Sequence, residues 1–189
     1  MPFGLSGAPR TFQRLIDNLL RGLEYDIAMA YLDDIIVYAM TVDQMISRMR
    51  LVLQRLRAAG LKLKAKKCVL FQTETVYLGH VISSKGVSCD PEKVRAVQEW
   101  VAPQTVRQVR SFLGTVGYYR RFIKNYADIA RPLYVLTKKR QKFVWSDDCM
   151  RAFETLKRKL ICAPIMSYPL DDKPYIHDTD ASGYAIGNA

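Results

Sequence analysis

The sequence predicts an α+β fold, with strands first, then helices, then strands again, and three observations carry that prediction. Short apolar runs bounded by turn residues occur at Ile27–Ala39 and in "VYLGHVIS". Apolar positions recur at spacings of three and four in several longer segments between and after them. The closing stretch "KPYIHDTDASGYAIGNA" then returns to strand character. At 189 residues the chain is one domain or two small ones, long enough to bury a core.

Taken in order, "MPFGLSGAP" is rich in Gly and Pro and reads as a loop. Pro9–Arg21 follows as a helix with Phe12, Leu15, Ile16 and Leu19 on one stripe. Ile27–Ala39 reads as a hairpin of two short strands joined at a pair of aspartates. Thr41–Ala59 is an amphipathic helix carrying Val42, Met45, Ile46, Met49, Val52, Leu53 and Leu56, stopped by Gly60. "VYLGHVIS" is a strand pair with a Gly in it. "DPEKVRAVQEW" reads as a helix with Asp90 as N-cap and Pro91 at the first helical position. A further helix starts at Thr105, and Asp147 is expected to cap another that runs to Lys159. There is no internal repeat and no low-complexity segment.

The charge narrows the partners. Against 18 Asp+Glu stand 29 Lys+Arg, a net charge of +11 and a pI near 9.6, which points to a polyanion. Three tracts carry bases and no acid: one between Asp43 and Glu74, one from Trp100 to Ala127, and one from Arg131 to Lys142. Solvated helix faces would explain one such tract; three favour phosphate contact. No apolar run approaches the roughly 20 residues of a membrane span, and the N-terminus lacks a basic-then-apolar signal pattern, so no membrane partner is expected. Cys68, Cys89, Cys149 and Cys162 form no CxxC pair, and His80 and His177 complete no zinc spacing. The cysteines therefore read as reduced, in a cytoplasmic or nuclear compartment.

Asp33 and Asp34 pose the sharpest question, because they sit inside the apolar run "DIAMAYLDDIIVYA". Carboxylates are costly among buried neighbours unless something pairs with them. An Asp-Asp turn and a metal-binding tip both answer the pattern.

Six blocks carry a resemblance that bears on the choice. "MPFGLSGAPRTFQ", "YLDD", "GLKLKAKKCVLF", "YLGHVIS", "SFLGTVGYYRRFI" and "DTDASGYAIG" follow one another as in the reverse transcriptase region of gypsy-class LTR retrotransposon Pol polyproteins, which the chain resembles over essentially its whole length. The resemblance implies a right-hand polymerase palm and thumb followed by a truncated RNase H-like α/β segment. The implied division is residues 1–88 for a partial palm, 89–142 for a thumb or connection-like helical segment, and 143–189 for the start of the RNase H-like domain. It also implies that Asp33 and Asp34 help to hold two Mg²⁺ ions (or Mn²⁺) at the tip of a palm hairpin, Asp33 as the main ligand. Such ions suit an in-line displacement at phosphorus, and hard carboxylate oxygens suit such ions.

Other roles come with the resemblance. Phe3 and Gly4 would lie near the incoming deoxynucleoside triphosphate, Gly7 and Pro9 would shape the loop, and Gln13 would face nucleotide or template. Tyr31 and Leu32 would floor the primer terminus. Lys66 would stand near the leaving pyrophosphate, with Lys67 an equal match by position. Tyr77, Leu78, Gly79 and His80 match the primer grip. Tyr118, Tyr119, Arg120 and Arg121 interleave rings and cations, which suits a duplex backbone, although a helix with its aromatics in the core reads almost as well. Asp180 would be the first RNase H carboxylate, with Asp178 beside it; His177 is assigned no role.

The resemblance further implies a parent enzyme that is an RNA-directed DNA polymerase with RNase H endonuclease activity. It would act on RNA or DNA primer-templates and RNA–DNA hybrids inside a virus-like particle. A third palm aspartate and the fingers would precede Met1, and further RNase H carboxylates would follow Ala189. This chain alone is therefore expected to be inactive, and the part after Pro164 loosely held. The alternative is a degenerate or domesticated remnant that binds nucleic acid without catalysis.

Overall fold

The computed structural model describes residues 4–169 and, beyond them, the backbone of two short strands. The chain divides into two compact units, residues 1–84 and 85–189.

The first unit is organised around the expected hairpin. Strand β1 (Ala28–Tyr31) pairs antiparallel with β2 (Asp34–Val37), with Ala28 opposite Val37 and Tyr31 opposite Asp34. Helix α1 (Ala8–Leu20) precedes the hairpin and α2 (Val42–Ala58) follows it. Ile16, Leu20, Leu23, Ala28, Val52 and Leu56 are buried together, with Phe12, Ile35 and Val37 packed against them. Each large apolar side chain so buried stabilises by about 1.5–3 kcal/mol, which fixes the hairpin on the two helices. The stripes read from the sequence are broader than the buried faces: Leu15 on α1 and Val42, Ile46 and Leu53 on α2 face solvent. Thr41 caps α2 by accepting from the Gln44 N–H at 3.2 Å, and Gly60 follows its C-terminus with φ +70°. A second hairpin joins β3 (Glu74–Tyr77) to β4 (His80–Ser83) through Leu78 and Gly79. Their φ values of +49° and +71° give the pattern of a type I′ turn, which accounts for the glycine in "YLGH".

The second unit is helical. Strand β5 (Gly86–Cys89) leads into α3 (Pro91–Gln98), α4 (Val106–Tyr118), α5 (Tyr126–Leu136) and α6 (Asp147–Ile161). Val97, Val109, Phe112, Val116, Leu133, Phe153 and Leu156 form its centre, where the Phe112 and Phe153 rings lie 4.6 Å apart. Asp90 caps α3 as expected, accepting from Glu92 N–H at 2.9 Å, and Thr105, the expected start of the next helix, is the cap of α4, accepting from Gln108 N–H at 3.3 Å. For α6 the cap is Ser146 and not Asp147. Ser146 keeps extended backbone and accepts from the Cys149 N–H, while Asp147 begins the helix, where its charge favours the dipole. α6 shares one core with α3, α4 and α5. Beyond residue 169, β6 (Thr179–Ala181) pairs antiparallel with β7 (Ile186–Asn188), Asp180 opposite Gly187.

Residues 165–168 lie against β5, and how tightly the segment after Pro164 is held is a question for limited proteolysis. Met166 and Val87 exchange two backbone hydrogen bonds of 2.8 Å, and the Tyr168 hydroxyl donates to Gly86 O at 3.5 Å. Gly86 is required there: its φ is +127°, and a Cβ would stand 2.1 Å from Met166 O.

Candidate active site

The two aspartates occupy different places in one tight turn. Leu32 and Asp33 form the two-residue loop, and Asp34 is the first residue of β2, opposite Tyr31. Leu32 has φ +53° and Asp33 does not have positive φ, the pattern of a type II′ turn in which glycine usually occupies the first position. A leucine there costs on the order of 1–3 kcal/mol unless its surroundings hold it. Asp33, Asp34 and Tyr31 are exposed, while Ile35, Ile36 and Val37 are half-buried. The chain thus keeps its apolar strands against the helices and carries both carboxylates on the water side of the tip.

Among the described residues neither carboxylate has a hydrogen-bond or ion-pair partner. Two hard, hydrated oxygen ligands fit Mg²⁺, which binds through one or two carboxylates and keeps several waters. No cluster of three His, Cys, Asp or Glu suited to a metal occurs among the described residues. The charge of Asp34 nevertheless reaches another predicted element. The Tyr77 phenol is pushed up first by burial and then by Asp34, which puts the second hairpin within electrostatic range of the first.

The turn is tied to α1. The Leu32 N–H donates to Gln13 Oε1 at 2.6 Å, and Gln13 Nε2 donates to Ala30 O at 3.3 Å and to Asp17 Oδ1 at 2.8 Å. Sequence reasoning turned Gln13 toward nucleotide or template; its amide is engaged on the hairpin. In the loop before α1, Gly4 has φ +89°, Gly7 is the N-cap residue, and Pro9 sits in the first helical turn. Phe3, His177 and Asp178 lie outside the described residues, as does the side chain of Asp180, whose backbone belongs to β6. Lys66 and Lys67 are exposed on a short 3-10 turn, Ala65–Lys67, and no interaction among the described residues ties either to the aspartates.

The four residues matched to the thumb by resemblance separate. Tyr118 is 54% exposed and Tyr119 2%, with the two rings edge to face at 5.0 Å. Tyr119 packs near Phe122, and its hydroxyl is pushed up to about 12 by burial and by the nearby Asp90 charge. Tyr119 is therefore a core residue and not a surface for a duplex backbone. Arg120 and Arg121 lie on an exposed 3-10 turn beside Tyr118. Some bases of the first acid-free tract have structural work. Arg55 donates to Leu19 O and Arg21 O at 3.0 and 2.7 Å, and Arg48 donates to Tyr38 O at 2.6 Å.

Residues 1–82 match the family model described as reverse transcriptase (RNA-dependent DNA polymerase), and residues 145–189 match the RNase H-like domain found in reverse transcriptase. Over 188 residues, 99% of the chain, it is 41% identical to the retrovirus-related Pol polyprotein from transposon 297 of Drosophila melanogaster, and it covers 18% of that protein. It is 36% identical to the Pol polyprotein from transposon gypsy of the same species, covering 19% of it. It is 32% identical to the transposon Tf2-3 polyprotein of Schizosaccharomyces pombe, covering 14%. The chain thus spans under a fifth of the length of these curated relatives. Among solved structures, the foamy viral protease-reverse transcriptase dRH in complex with double-stranded DNA matches 96% of the chain. That match has a TM-score of 0.84 and 26% identity and covers 32% of that chain. The foamy viral protease-reverse transcriptase in complex with an RNA/DNA hybrid matches at TM-score 0.82 and 26% identity, over 96% of this chain and 25% of that one.

Proposed function

We propose, from the premise that this chain is a retroelement reverse transcriptase segment with an RNase H-like region, that its first unit contributes metal-binding carboxylates to RNA- and DNA-templated DNA synthesis. The observation that carries the reading is the pair Asp33–Asp34, unpaired and water-facing at the tip of a hairpin whose other residues are packed on α1 and α2. Asp33 and Asp34 would hold Mg²⁺, with the remaining ligand supplied from outside the described residues. The chemistry a bound metal pair supplies is activation of the attacking 3′-hydroxyl and neutralisation of charge on the leaving pyrophosphate. The work of the chain is positional: the packed hairpin fixes the carboxylates, and Tyr31 beside them offers an exposed ring where a primer terminus would rest. Tyr77, Leu78, Gly79 and His80 would hold the primer from the second hairpin. Deoxynucleoside triphosphates are the substrates, and an RNA–DNA hybrid is the partner of the RNase H-like region, where Asp180 would be a ligand.

The test is primer extension on an RNA template by the full parent Pol protein carrying Asp33→Asn. Loss of Mg²⁺-dependent extension by about 10³-fold or more is expected, as for removal of a group that acts as one unit with its partners. Extension within a few-fold of the unchanged protein would overturn the assignment.

A further inference from the structure

The loop that carries Asp33 holds a leucine at φ +53°, and the Leu32 N–H lies in the loop between the paired residues Tyr31 and Asp34. A side chain from α1 meets that N–H, and the geometry points to Gln13 as the positioning residue of the Asp33–Asp34 pair. This role rests on the metal reading above and replaces a contact of Gln13 with nucleotide or template.

Three bonds specify the amide. Its oxygen accepts from Leu32 N–H at 2.6 Å, so its nitrogen must face acceptors, and it finds two, Ala30 O at 3.3 Å and Asp17 Oδ1 at 2.8 Å. A carboxamide offers two donors and an acceptor oxygen, so a flipped amide would set donor against donor at Leu32. Both donors are engaged within the protein, which leaves none for a substrate. The bond to Ala30 O holds β1 just before the turn, and the bond to Leu32 N–H holds the turn itself. Neighbouring Phe12 and Ile16 pack α1 into the core of this unit, so the anchor is rigid. Gln13 thereby ties the strained loop to a buried helix, and Asp33, the next residue, inherits that constraint.

The experiment uses the 189-residue chain labelled with ¹⁵N, with Gln13→Leu and Gln13→Glu as variants and Mn²⁺ as the probe. Gln13→Leu keeps the volume and removes every bond. Amide exchange at Leu32 is expected to accelerate by about 3- to 10-fold, the range for loss of one net hydrogen bond, while α1 and α2 amides keep their protection. Mn²⁺ affinity, read by paramagnetic broadening around the turn, should weaken by a similar factor. Gln13→Glu, measured at a pH low enough to protonate the new carboxyl, keeps an oxygen acceptor for Leu32 N–H and a hydroxyl donor facing Asp17 Oδ1 and Ala30 O, and should restore protection at Leu32. If Gln13→Leu disrupts α1 as well, the Glu variant decides: protection of Leu32 supports the role, and its loss overturns it. Unchanged Leu32 exchange in Gln13→Leu also overturns it. The double variant Asp33→Asn, Asp34→Asn should abolish the broadening. Broadening that survives it sinks the metal reading itself, and Leu32 exchange still judges the tie.

Discussion

Tyr118 and Tyr119 are adjacent, identical in chemistry and opposite in fate. α4 ends at Tyr118 and the chain turns through Tyr119 into a 3-10 segment, so one ring goes to solvent and the next into the core. The difference is testable residue by residue. Tyr119→Ala should destabilise the chain by about 3 kcal/mol or more, since it empties a site among Phe122 and its neighbours. Tyr118→Ala should stay within about 0.5 kcal/mol of the unchanged protein and weaken binding of an RNA–DNA hybrid. Denaturant melts and a binding titration on the two variants check both halves. Equal stability losses would mean that the two rings share the burial.

At the scale of elements, the backbone pairing of Met166 with β5 depends on one glycine. Gly86→Ala places a methyl group 2.1 Å from Met166 O and asks alanine to hold φ +127°, so the bridge must open. A stability loss of about 1–3 kcal/mol is expected, with faster proteolytic cutting at residues 164–169 and faster exchange of the Val87 and Met166 amides. Unchanged protection of those amides would show that the bridge tolerates a side chain. Nothing in the sequence announces this pairing, because it joins residues about 80 apart through backbone atoms alone. What the sequence does announce has local causes. The β1–β2 hairpin is legible because two polar residues interrupt an apolar run, and the starts of α3 and α4 because Asp90 and Thr105 each precede a periodic helix. The cap of α6 was misplaced by one residue because Ser146 and Asp147 are both good caps, and only backbone geometry decides between them. α5 has Pro132 inside it, which removes one helical N–H, and burial of Ala130, Leu133 and Leu136 outweighs that loss, a balance that only packing reveals. Asp33–Asp34 was readable as a site, whereas the role of Gln13 was not, because its partners at positions 30 and 32 come near only once α1 packs on the hairpin.

For the whole molecule, a charge of +11 predicts binding to nucleic acid, but the structure reduces the number of bases free to meet phosphate. Arg48, Arg55 and Arg110 are directed at backbone carbonyls, and Lys157 donates to Trp100 O at 2.8 Å. Arg120, Arg121 and Lys124 remain exposed close in sequence to the exposed Tyr118, so ring and cations are open to solvent on this segment. If such groups track a duplex backbone, log affinity for a hybrid should fall linearly with log salt. About five contacts would give a slope of roughly −4 to −5. Arg120→Ala with Arg121→Ala should make the slope shallower by about 1 to 2 units, since each base releases about one counterion. Arg55→Ala should act differently. It removes the donors that close the end of α1, so stability should fall while the salt slope stays near that of the unchanged protein. Titrating all three proteins with one hybrid at four or so salt concentrations separates the two kinds of base. Parallel lines for the unchanged chain and the Arg120, Arg121 variant would remove this surface from the nucleic-acid interface, while the reading of the β1–β2 tip would stand on its own evidence.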